Sequence, residues 1–408
     1  MPTRDRVGWW GALRRLGGVA LGMLTAMLVG ASPAQTQPGP GEGGPGRLAA
    51  TQGSFYVGGQ YVDVPGGGST MDGSMYVQSW VPDAGSHPYP IVLIHGGVGA
   101  GGTWTGTPDG REGWAQFLVR RGYTVYAVDQ PARGRSIYNP AVDGPLGQPS
   151  TLSNEQMFTA PEVFNLWPQA HLHTQWPSDA PSCTGTGCKG QQGDPVFDAF
   201  MRGALGSISG NRVEEMNRAA GAALLDRIGP AIVLGRSQSG PFPWLYADAR
   251  PDVVKAMVSL EPSGPPFVNV TFHGPPDYFA DGPVGRPWGL TATPLTYAPP
   301  ITDPEQLSRA QQATPDRPDL VRCWLQGKAA YQLPTLQGKP TLIITGQASY
   351  HAPYDHCTAR YLQQAGVDVE HVRLEQVGIL GNGHLMNSEA NSDQIAAFLV
   401  GWLERKGL

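Results

Sequence analysis

Residues 231–240 read Ala-Ile-Val-Leu-Gly-Arg-Ser-Gln-Ser-Gly. Four apolar residues in a row, with no alternation, describe a strand covered on both faces, the pattern of a strand inside a parallel sheet. The run breaks at Gly235, and apolar residues resume from Phe242 at helical spacing. This is a strand, a tight turn and a helix, with Ser237 at the turn. A side chain on such a turn is pushed into the open, and its neighbours two positions away must be tiny to clear the strand and the helix. Gly235 meets that demand, and Ser239, standing where a second glycine would be ideal, is the next-smallest choice. Ser237 is the candidate nucleophile. Ser239 is the alternative, and it would need the turn shifted by two.

Working outward, strands and helices alternate. Ile91–Ile94, Thr124–Val128, Val254–Leu260, Thr341–Thr345 and Val369–Leu374 read as further strands, with Phe55–Val57 and Met75–Trp80 as an opening antiparallel pair. Helices are expected near Trp114–Arg121, over Asn211–Ile228, His356–Ala365 and Asp393–Lys406. Alternation of this kind predicts an α/β domain with a mostly parallel twisted sheet and helices on both faces. It spans 54–408. Segments 137–209 and 262–338, rich in Pro, Gly and aromatics, interrupt it. Each is too long for a bare loop in a compact domain, so they are expected to lie as lids over the carboxyl edge of the sheet, where α/β proteins bind ligands.

The carboxyl ends of the other strands hold the remaining chemistry. His384, within Gly381-Asn382-Gly383-His384, follows the last strand and is the candidate general base. Glu261 ends the apolar run Val258-Ser259-Leu260. A carboxylate there is costly unless paired, and an imidazole would pair it. Asp355 is the alternative acid, although its place at a helix start suits an N-cap. His95-Gly96-Gly97 closes the strand IVLI, and Trp104, Asp109, Arg111 and Trp114 are read as braces for that loop. His171-x-His173 lacks a third ligand at sensible spacing, so no metal site is expected, and no dinucleotide fingerprint calls for a cofactor.

The 408 residues carry 28 Lys+Arg against 33 Asp+Glu, a net charge of −5, which argues against a nucleic-acid partner. Residues 1–34 combine Arg4, Arg6, Arg14 and Arg15 with an apolar run and Ser32-Pro33-Ala34, the pattern of a cleaved signal peptide. Residues 35–53 read as a flexible leader. The mature protein is then expected to be secreted or periplasmic, with no stable membrane association. In an exported chain an even number of cysteines favours disulfides. Cys183–Cys188 closes a short hairpin and leaves Cys323–Cys357, although four cysteines allow three pairings.

The stretches HGGVGAGGTW, TPDGREGW, YAVDQPARGRS, GRSQSG, SLEP, ASYHAPYDHC and GNGH, in that order, resemble a family of secreted bacterial α/β-hydrolase serine esterases, over about 53–406. The resemblance implies the α/β-hydrolase fold and carboxylic-ester hydrolysis but does not fix a substrate; the leading reading is a cofactor-free serine esterase working through an acyl-enzyme on small to medium esters. The resemblance places the acid after strand six, on Glu261, beside Ser237 and His384. It also implies oxyanion donors in the backbones of Gly97 and Gln238, a lid, and a homodimer. Some members carry two cysteines after His-Gly, where this chain has Gly97-Val98. Lactone or polyester hydrolysis or other acyl chemistry on the same residues, a lyase, or a non-catalytic binding protein on this scaffold, are the competing readings.

Overall fold

The computed structural model describes residues 46–408. The signal peptide and most of the leader read from the sequence lie outside the described residues. Eight strands form the main sheet: β1 (Ala50–Asp63), β2 (Ser69–Pro82), β3 (Ile91–Ile94), β4 (Val125–Asp129), β5 (Ala231–Arg236), β6 (Val254–Leu260), β11 (Thr341–Thr345) and β12 (Val369–Arg373). Between β6 and β11 come the hairpin of β7 (Phe267–Phe272) and β8 (Phe279–Arg286), and the short pair β9 (Arg309–Gln311) and β10 (Trp324–Gln326). The main sheet runs β1-β2-β4-β3-β5-β6-β11-β12. β1 and β2 are antiparallel to their neighbours, and the rest run parallel.

The opening pair is longer than its apolar cores suggest. β1 begins at Ala50, so residues 50–53 belong to the sheet and not to a leader. Thr51 and Gln52 are exposed on this edge strand and Gly53 has no side chain, so the stretch shows no apolar period.

Helices pack on both faces. α1 (Trp114–Val119) and α9 (Ser392–Arg405) cover one side, burying Trp114, Leu118, Leu399 and Trp402 against Leu93, Leu234, Val258 and Ile344. α6 (Arg212–Ile228), α7 (Phe242–Ala249) and α8 (Asp355–Gln364) cover the other. A helix can fill a face only where its apolar residues recur every three or four positions. In α6 the buried Val213, Met216, Ala220 and Leu224 do so.

Neither interruption is structureless. The first holds α2 (Pro140–Asp143), α3 (Thr151–Asn154), a π-helical turn at Glu155–Thr159, α4 (Pro161–Phe164) and α5 (Pro195–Arg202), with Trp167, Trp176 and Phe197 buried. The second carries the β7–β8 hairpin and the β9–β10 pair. Both expected disulfides form, Cys183–Cys188 and Cys323–Cys357, each with Cα atoms 5.2 Å apart. Cys323–Cys357 ties the second interruption to α8, and both its residues are wholly buried. Loop-closure arithmetic assigns it about 4 kcal/mol and the short hairpin bridge about 2 kcal/mol. Thermal unfolding of Cys323→Ser/Cys357→Ser should therefore show about twice the stability loss of Cys183→Ser/Cys188→Ser. Equal losses would contradict that ranking.

Candidate active site

Strand register brings the candidate residues to one rim. Ile94 pairs with Gly235, Arg236 with Leu260, and Leu260 with Ile344, so β3, β5, β6 and β11 end level with one another. The residues that follow those ends are His95, Ser237, Glu261 and Gly346.

Ser237 is held at φ 57°, a conformation that a non-glycine residue adopts only when its surroundings force it. The force is visible around the turn. A Cβ on Gly235 would lie 2.0 Å from the Ser239 carbonyl oxygen, so nothing larger than glycine fits there. Ser239 is wholly buried; its hydroxyl accepts from the Arg236 amide (2.9 Å) and sits 2.8 Å from the Ile94 carbonyl oxygen as donor. It staples the turn to β3, and this employment removes it as a nucleophile. A short 3₁₀ turn (Ser237–Ser239) leads into α7.

Glu261 is also wholly buried and sits at φ 47°. Its carboxylate takes three donors: the Gly346 amide (2.7 Å), the Ser349 hydroxyl (2.7 Å) and Nδ1 of His384 (2.5 Å). Burial and the nearby Asp355 push its carboxyl up, while the Gly346 and Ser349 donors pull it down. His384 is 1 % exposed, and burial, then the neighbouring His351 and Arg236, hold its imidazole well below the usual 6.5. The ring is thus neutral at neutral pH, with Nδ1–H bound to Glu261 and Nε2 free of that proton.

That Nε2 faces the Tyr350 hydroxyl at 3.5 Å, and the same hydroxyl interacts with the Ser237 side chain. Burial pushes the Tyr350 phenol up, so it stays protonated. The His384 ring stacks on Phe158 from the first interruption (centroids 5.0 Å apart) and on His351 (4.9 Å). Trp167 from the first interruption and Phe272 from the second close on Tyr350. Tyr350 and Phe158 were not among the expected site residues. Tyr350 follows the β11 end in the stretch Gln347-Ala348-Ser349, which is a usable signal, whereas Phe158 has none.

Asp355 does not cap its helix through its side chain. It accepts from Nδ1 of His351 (2.8 Å) and from the Thr345 hydroxyl (2.7 Å), a second buried carboxylate–imidazole pair beside the first. Gly97 and Gln238 are neighbours across the turn: a Cβ on Gly97 would lie 3.7 Å from that of Gln238. Arg133 holds this corner together by donating to the Gly99 carbonyl (3.1 Å) and the Gln238 side chain (3.3 Å). His95 accepts from the Gln130 amide through Nε2 (3.1 Å) and bonds the Gly96 carbonyl through Nδ1 (2.8 Å). Burial lowers it to about 3, a neutral loop brace. Trp104 is wholly buried against Trp114. Arg111, paired with Asp109, reaches the other loop, donating to the Ser388 and Glu389 carbonyls.

Two groups among the described residues bring three metal-ligating atoms within 4.8 Å of one another. In Cys323–His356–Cys357 the sulfurs are joined in the disulfide, and in Glu261–His351–His384 the Glu261 and His384 atoms are already hydrogen-bonded to each other.

A family model for the alpha/beta hydrolase fold matches residues 89–281, the span holding β3, the Ser237 turn and Glu261. A probable secreted lipase, phiG, from a fungal species (strain ATCC 74256) is 43% identical over 354 residues, covering 86% of this chain and 89% of the lipase. The structure of a bacterial esterase superposes with a TM-score of 0.58 at 22% identity, covering 90% of this chain and 98% of that one. Sequence, strand order and the geometry at the β5 turn agree, and the chain belongs to the α/β-hydrolase fold family.

Proposed function

We propose that this protein is a serine hydrolase of carboxylic esters, with Ser237 as nucleophile, His384 as base and Glu261 as the acid that orients it. The observation that carries the reading is the buried Glu261–His384 hydrogen bond, which fixes the tautomer and turns Nε2 toward the Tyr350 hydroxyl that also meets Ser237. In that arrangement Ser237 Oγ attacks the ester carbonyl carbon as its proton passes to Nε2. The amides of Gly97 and Gln238 take the charge that develops on the carbonyl oxygen. Collapse expels the alcohol, which receives the proton from Nε2, and leaves an acyl-Ser237. Water, deprotonated by the same nitrogen, releases the acid. Glu261 stabilises the imidazolium in both halves without itself changing charge.

The walls speak to the substrate class. Phe158 from the first interruption and Phe272 from the second pack on Tyr350 beside the His384 ring, an aromatic surrounding that suits esters with apolar groups. A fluorophosphonate probe tests the chemistry, since it phosphonylates only an activated serine. Peptide mapping is expected to find the label on Ser237. Because the His384 imidazole is held below its ordinary value, it stays neutral as the pH falls past 6.5. The labelling rate should therefore hold across pH 6 to 7, where an ordinary histidine would already lose it, and drop only at lower pH. Label on another residue, or none, would overturn the assignment.

A further inference from the structure

The loop that carries His384 is built around a second buried carboxylate. Glu389 is wholly inaccessible, accepting from the Gly383 amide (2.9 Å) and the Asn382 side-chain amide (2.7 Å). Those bonds fix the two residues directly before His384, but neither donor carries charge. A buried carboxylate is costly to hold, and a nearby cation lowers that cost beyond what neutral donors supply. Among the described residues the ion-pair partner of Glu389 is His173, whose Nε2 lies 3.4 Å from Oε1. The other nitrogen of His173 is 2.7 Å from Glu162 Oε2 in α4. The contact is close on every side: a Cβ on Gly383 would fall 3.0 Å from both Glu389 Oε1 and His173 Cδ2. Backbone bonds continue it, from Thr174 N–H to the Gly381 carbonyl (3.0 Å) and from Ala390 N–H to the Gln175 carbonyl (2.8 Å).

We infer that His173, as an imidazolium clamped between Glu162 and Glu389, is a positioning residue that locks the His384 loop to the first interruption. The inference rests on the proposed role of His384 as the base. The segment around His173 is then a fixed part of the active site, and the charge on one histidine decides whether the base is held in register.

Burial acts to lower His173, but the Glu162 and Glu389 carboxylates together outweigh it and raise the imidazole to about 9. Its charge and its hold on the loop are complete below 6.5 and are lost as the pH rises through about 9. The charged groups around it are Glu162 and Glu389 in contact, Lys189 across the same surface cleft, and Arg236, which acts on Glu389 through space. The His173 side chain is itself closed off from solvent, whereas Glu162, 2.7 Å from its Nδ1, is partly exposed on a cleft of about 430 Å³ and gives the proton its route out.

The test uses histidine labelled with ¹³C at Cε1 in the full-length protein, followed by NMR from pH 6 to 10.5. The His173 signal is assigned by its loss in His173→Gln. In the wild type the His384 signal should shift with the same midpoint as His173, near 9, while circular dichroism stays unchanged. Ester turnover should lose at least tenfold across that midpoint, through kcat and not KM. Glu162→Gln removes one of the two carboxylates, so both NMR midpoints and the kcat limb should move down by at least one pH unit. A His384 signal that stays flat while His173 titrates would overturn the inference, as would an unmoved midpoint in Glu162→Gln. Loss of fluorophosphonate labelling in the wild type would instead strike the hydrolase reading, and the NMR coupling can be read without it.

Discussion

Ser237→Ala is expected to lower kcat by about 10⁵–10⁶-fold, with KM little changed, on any ester the protein hydrolyses. The size follows from what would remain. The Gly97 and Gln238 amides would still polarise a bound carbonyl, and His384 could still activate a water, so a residual rate above background should persist. No covalent intermediate is expected, however, because burial keeps the Tyr350 phenol protonated and the Ser239 hydroxyl is locked between Arg236 and Ile94. Single-turnover kinetics and acyl-enzyme mass spectrometry read the outcome. A loss below about tenfold would show that Ser237 is not the nucleophile.

Glu261→Gln carries the second-largest effect, about 10⁴-fold in kcat. Glutamine keeps the shape, and its oxygen can still accept from Gly346 or Ser349. Its amide, however, would present N–H to Nδ1 of His384, reversing the tautomer and placing the ring proton on Nε2, where the base must be bare. Asp355→Asn breaks the adjacent pair with His351 and should cost much less, since it touches His384 only through the stacked His351 ring. The same kcat assay on both variants decides which carboxylate orients the base, and a larger loss from Asp355→Asn would reverse the assignment.

The candidate site was legible where the chain runs from a strand buried on both faces into a turn. Ser237, Glu261 and the His95 loop each follow an apolar run, and a polar residue in that place needs a reason that physics can supply. His384 stands out in the sequence by its flanking glycines. Asp355 was misread because its position at a helix start has an ordinary explanation, and its true partner lies four residues back with no pattern to announce it. His173 was legible even less. Its partners Glu162 and Glu389 lie on either side of it in the chain, one close and one more than 200 residues away, and only the folded interruption joins them. The start of β1 was missed for a simpler reason: an exposed edge strand has no buried face to set a period.

The serine at position 239 has a practical consequence for anyone tempted to regularise the turn. Replacing it with the glycine that similar turns prefer would look like a harmless return to type. It would strip the Arg236 amide of its acceptor and the Ile94 carbonyl of a donor in a place no solvent reaches. It would also hand back torsional freedom to the segment whose rigidity keeps residue 237 at a positive φ. Here the apparent departure from the pattern is itself a fastener, and engineering by resemblance alone would unpick it.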